Sequence, residues 1–141
     1  MPKSIGFRVM TIDEKGSHWL VKCRLNGTEA WMVVDTGASQ TVVDQALADE
    51  WEQTIHSEGL IVGFDSRKHE VKTAVIGSII IDRHQFTKLY VTLADLSNLI
   101  ELYGELAKVK IIGLLGCDFL MKHASSININ NRRIYLKINN C

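Results

Sequence analysis

The 141-residue chain predicts a mostly-β fold with two or three short helices. Three observations carry that expectation. Short runs rich in β-branched and aromatic residues recur along the chain, several alternating apolar and polar. Turn residues punctuate them, most strongly Asn26-Gly27. Helical spacing of apolar residues occurs only in brief stretches. The length fits one domain spanning 1–141, large enough for a core of its own.

In chain order, residues 5–11 carry apolar side chains at 5, 7 and 9 and predict a first strand. Asp13-Glu14-Lys15-Gly16 reads as a turn, and 19–25 alternates as a second strand. Asn26-Gly27 supplies the two positive-φ residues of a tight hairpin, returning the chain as strand 28–34. Asp44 is expected to cap a short helix over 44–51, with Val43, Leu47 and Trp51 on one face.

Residues 59–64 and 71–76 read as two strands joined by a polar tip, Asp65 to Glu70. Two more strands are predicted over 79–82 and 85–93. Asp95 is placed to cap a helix whose stripe is Leu96, Leu99, Ile100 and Tyr103, with Gly104 weakening its end. Then come a buried strand over 109–115 and a short helix over 118–123 with Asp118 as its N-cap. A closing hairpin, 126–130 with 132–138, turns at Asn130-Asn131.

Composition removes several function classes. Formal net charge is zero, which gives no electrostatic reason to expect nucleic acid or an anionic membrane as partner. The longest apolar stretch, 111–117, is too short to span a bilayer, and the start lacks the apolar core of a secretory signal. The expected location is cytoplasmic. Cys23, Cys117 and Cys141 are odd in number and widely spaced, which suits a reducing compartment better than a disulfide framework. The five histidines are scattered without metal-ligand spacing, so neither metal nor cofactor is expected. Cys117 has a nucleophilic residue type, but its place in an apolar–glycine run marks it as packing.

The chemistry concentrates in Trp31-Met32-Val33-Val34-Asp35-Thr36-Gly37-Ala38-Ser39-Gln40-Thr41-Val42-Val43. An apolar run delivers one acid into a loop of small residues. A carboxylate there is costly unless hydrogen-bonded or charge-compensated, and such placement suits a tuned acid or base. Gly37 permits close backbone approach, and Thr36 offers a hydroxyl.

Asp-Thr-Gly-Ala-Ser between apolar pairs resembles the active-site loop of aspartic proteases. Ile111-Ile112-Gly113-Leu114-Leu115-Gly116-Cys117-Asp118-Phe119-Leu120 is similar to the apolar–glycine strand and short helix near that family's C-terminal end. The resemblance spans 21–138 and fits the single-domain, retropepsin-like branch, since one such loop is present. It implies a retropepsin-like fold with Asp35, Thr36 and Gly37 in the catalytic site. It also implies substrate contacts from Gly37 and Ala38 and from a flap tip at Gly63, Phe64 and Asp65. In this tip Gly63 is followed by Phe64 rather than by a second glycine, a departure from many related flaps.

The implied reaction is peptide hydrolysis in a polypeptide substrate. Two carboxylates sharing one proton can activate a water and protonate the leaving nitrogen. Asp13, Asp44, Asp49, Asp65, Asp82, Asp95 and Asp118 all lack the loop. The second carboxylate is therefore expected from Asp35 of another copy in a homodimer. Thr36 is expected to bond across the two-fold axis, and segments 5–9 and 134–138 offer strands for the interface. The rival reading is a catalytically silent dimeric peptide-binding or scaffolding module of the same fold. An acid so placed argues against it, because a groove alone has no use for one.

Overall fold

The computed structural model describes residues 2–11, 16–47, 55–62 and 70–138. Their strands are β1 (Ser4–Gly6), β2 (Arg8–Thr11), β3 (Ser17–Leu25), β4 (Thr28–Val34), β5 (Val42–Asp44), β6 (Ile55–Val62), β7 (Glu70–Ile81), β8 (His84–Ala94), β9 (Ile111–Leu115), β10 (Ala124–Asn128) and β11 (Arg133–Leu136). Two helices, α1 (Ser97–Leu106) and α2 (Cys117–His123), interrupt them.

The larger sheet runs β2-β3-β4-β9-β5-β8-β7-β6, and β3 also pairs with β7. That extra pairing, Cys23 opposite Ile81, closes a ring of strands with β2 and β6 as flanking edges. The smaller sheet is β1-β11-β10. The Asn26-Gly27 hairpin forms as its residues dictate: both have positive φ, 52° and 75°, and Leu25 faces Thr28.

The second half of β4, Trp31 to Val34, reads apolar at every position because both of its faces are covered there. Met32 and Val34 enter the main core, while Val33 joins Leu20, Ile111 and Tyr103 under α1. The α1 stripe falls where helical spacing puts it, with Tyr103 buried and Gly104 exposed but within the helix. Asp95 accepts from Ser97 N at 3.0 Å, one residue ahead of the N-cap Leu96. Phe86, Phe119 and His123 stack mutually at 4.7–5.0 Å and seat α2 on β8.

Several expectations need correction. The run 5–11 is two strands, because Phe7 hands the chain from one sheet to the other. β1 pairs with β11 and β2 with β3, although buried Ile5 and Phe7 keep the apolar alternation. Segments 71–76 and 79–82 are one strand, β7, in unbroken register with β8. The buried face switches along this ribbon, from Ala74 and Ile76 to Ile79 and Ile81. Lys88 on β8 takes a φ of 55° near that switch. Of the expected helix over 44–51, Ala46 and Leu47 are helical and Trp51 lies outside the described residues. Asp44 ends β5, accepting from Ala46 N at 3.3 Å and from Leu96 N at 2.8 Å.

Among the described residues, no helix is long and apolar enough to cross a membrane.

Candidate active site

Asp35 follows β4, whose last three residues, Met32, Val33 and Val34, are buried. Parallel pairing sets Val34 beside Leu115, and Asp35 N donates to Leu115 O at 2.9 Å. The two motifs singled out in the sequence therefore meet at this point.

The loop closes around its own acid. Gly37 N donates to Asp35 Oδ1 at 2.9 Å, and Ala38 N to Asp35 O at 3.1 Å. A Cβ on Gly37 would stand 3.2 Å from Asp35 Oδ1, so glycine lets the backbone come this near the carboxylate. Asp35 is half-buried, while Thr36 and Gly37 are exposed. The catalytic and substrate-facing expectations at Asp35, Thr36, Gly37 and Ala38 thus fall on one tight turn. The flap-tip expectations at Gly63, Phe64 and Asp65 lie outside the described residues.

The turn is seated on Gly116. A Cβ there would come within 2.6 Å of the Gln40 carbonyl and 2.9 Å of Ala38 O, so no larger residue fits. Cys117 N donates to Ala38 O at 2.8 Å, and Gly116 N to Thr41 Oγ1 at 3.0 Å. Gly113 does the same for β5, since a Cβ there would strike the Val42 carbonyl. Both glycines of the second motif exist to let the returning loop lie against β9.

Asp118 is not the N-cap of α2. Gly116 holds that position, and Asp118 sits in the first turn. Its Oδ1 accepts from Thr41 Oγ1 and from Phe119 N, each at 2.8 Å. Thr41 is fully buried and relays one hydrogen bond into another. This relay was not read from the sequence; the available signal was a lone hydroxyl beside the apolar pair Val42-Val43.

Cys117 is likewise more than packing. It is half-buried, and its thiol donates to Thr36 O at 2.9 Å. Cys23, on β3, is buried, and burial pushes its thiol up to about 12.

A cleft of about 180 Å³ opens beside the loop, between Gln40, Thr41, Tyr90, Thr92 and Asp118. Gln40 and Thr92 bond across its wall at 2.8 Å. The volume is below the ~300 Å³ at which ligand pockets begin. Among the described residues, no group of three or more His, Cys, Asp or Glu could hold a metal ion.

Residues 21–119 match the family model described as aspartyl protease. Among solved structures, a retropepsin-like aspartic protease from Rickettsia conorii aligns with a TM-score of 0.55 and 17% identity. The match covers 96% of this chain and 93% of that one. At that identity the likeness is one of fold: the mostly-β architecture is retropepsin-like, in agreement with the sequence. No functionally curated protein matches the chain.

Proposed function

The chain belongs to the aspartyl protease family, and from that premise we propose that it is an aspartic endopeptidase with a site shared between two copies. Two Asp35 carboxylates, one from each subunit of a homodimer, activate the water. The observation that supports this most is the state of Asp35. One oxygen is fixed by Gly37 N, and the turn that carries it is locked on Gly116. The other acid near the loop, Asp118, is engaged by Thr41 and Phe119 as a structural acceptor.

The chemistry follows from two like charges that cannot readily ionise together. The ionised carboxylate takes a proton from water as the water oxygen bonds to the scissile carbonyl carbon. The protonated carboxyl gives its proton to the carbonyl oxygen, producing a gem-diol. That intermediate collapses as its nitrogen is protonated and the C–N bond breaks, leaving a new carboxyl and a free amine. Thr36, exposed on the turn, bonds to the partner's loop and holds the pair rigid. Gly37 and Ala38 bind substrate backbone, and the flap residues Gly63, Phe64 and Asp65 close over it.

A proteome-derived peptide library tests the reading. Wild-type protein is expected to cut internal bonds and Asp35→Asn protein to leave them whole. Undiminished cleavage by Asp35→Asn would falsify the assignment.

A further inference from the structure

The peptide group between Thr36 and Gly37 is held at both of its ends. Its N–H donates to Asp35 Oδ1 at 2.9 Å, and its carbonyl, Thr36 O, accepts from the Cys117 thiol at 2.9 Å. A peptide group is planar, so its N–H and C=O point in opposite directions and turn together. The thiol that fixes the carbonyl therefore also sets the direction of the N–H that holds the carboxylate. The two bonds polarise the one amide they share, and each strengthens the other.

The fold brings Cys117 to this place. It opens α2 directly after Gly116, which lies so close under the loop that a Cβ would come within 2.6 Å of the Gln40 carbonyl. From there Cys117 reaches two carbonyls on either side of Gly37. Its backbone N–H donates to Ala38 O at 2.8 Å, and its thiol to Thr36 O. The neighbouring peptide groups are anchored by backbone, Asp35 N on Leu115 O and Ala38 N on Asp35 O. The Thr36–Gly37 group is instead anchored by side chains, a thiol on one side and a carboxylate on the other. Thr36 and Gly37 are exposed, and a glycine offers little resistance to rotation of the peptide before it.

We infer that Cys117 is a positioning residue for Asp35, acting through the Thr36–Gly37 peptide and touching neither substrate nor water. This rests on the reading of Asp35 as the catalytic acid and adds the side chain that aims its hydrogen-bond donor. A thiol is a weak donor, so the bond contributes little to folding. Its effect is concentrated in the orientation of one amide, and through that amide in the placement of Asp35 Oδ1. Small displacements of a reacting group cost rate far more than they cost stability.

The test compares wild type with Cys117→Ala and Cys117→Ser by amide-resolved hydrogen exchange, urea denaturation and initial rates on a peptide that the wild-type chain cuts. In Cys117→Ala the Gly37 amide is expected to exchange about tenfold faster, while the Asp35 and Ala38 amides and the urea midpoint stay as in wild type. kcat is expected to fall about tenfold with KM unchanged. Cys117→Ser keeps a donor and is expected to recover most of both losses. Unaltered Gly37 exchange in Cys117→Ala overturns the assignment. So does equal quickening at Asp35, Gly37 and Ala38, loss of the folded state, or a Cys117→Ser as impaired as Cys117→Ala, since each marks the side chain as packing alone. Failure of the catalytic reading looks different: Asp35→Asn cleaves like wild type, or wild type cuts no peptide, and the Gly37 exchange comparison still decides the role of Cys117.

Discussion

Thr41 Oγ1 and Asp118 Oδ1, 77 positions apart in the chain, share a 2.8 Å hydrogen bond that anchors the exit of the Asp35 loop to α2. The same hydroxyl accepts from Gly116 N, so one buried side chain serves two partners. Thr41→Val keeps the shape and removes both bonds, leaving the Gly116 N–H unsatisfied. The expected cost is about 1–3 kcal/mol of unfolding free energy, read from urea denaturation. Thr41→Ser keeps the hydroxyl and is expected to lose less.

Asp35→Asn separates chemistry from folding. The amide oxygen can still accept from Gly37 N, so stability should change by less than about 1 kcal/mol. Peptide cleavage should fall by at least ~10²–10⁴, the usual contribution of a positioned acid–base group. Chelators should leave the wild-type rate unchanged, since the mechanism assigns no step to a metal. Matched denaturation curves alongside initial rates check both halves.

The local structure was legible wherever a residue type dictates a backbone state. Asn26-Gly27 dictated a hairpin, and the apolar run Trp31 to Val34 marked the buried end of β4. The Asp35 turn was legible as a motif, but its seating was not. Nothing in Gly116 or Thr41 alone says that segments so far apart in sequence touch. That contact comes from the parallel pairing of β4 with β9. The split at Phe7 was hidden for a similar reason, since alternation reports which side chains are buried and not which strand pairs with the backbone. Asp118 misled because an acid at a helix start satisfies the capping rule, whereas the true cap, Gly116, was set by close packing.

Cys23 gives stability a pH dependence whose sign is fixed. Its thiol is held up to about 12 in the fold, against 9.0 ordinarily, because burial opposes the thiolate. As pH rises from 9.0 towards 12, the unfolded chain loses a proton that the folded chain keeps. This contribution therefore weakens the fold with rising pH. Cys23→Ala lacks it, so the stability difference between wild type and variant should shift against wild type over that window. Unfolding free energies of both proteins at pH 8, 9 and 10 are the measurement.

Subunit mixing addresses whether one chain can work alone. On the shared-site proposal each chain supplies one catalytic carboxylate, that of Asp35, and the proposed reaction requires two carboxylates within hydrogen-bonding reach of one water. Wild-type and Asp35→Asn chains are combined in equal amounts and allowed to exchange fully, with exchange verified by a mass tag on one of them. Independent chains would retain about half of the wild-type activity. If the site is shared and mixed pairs are dead, random pairing of two identical subunits leaves about a quarter. Dilution gives a second arm: specific activity should fall once the concentration drops below the dissociation constant, because separated chains each keep half of a site. Half-retained activity after verified exchange, with no loss on dilution, would mean that Asp35 acts with a carboxylate of its own chain.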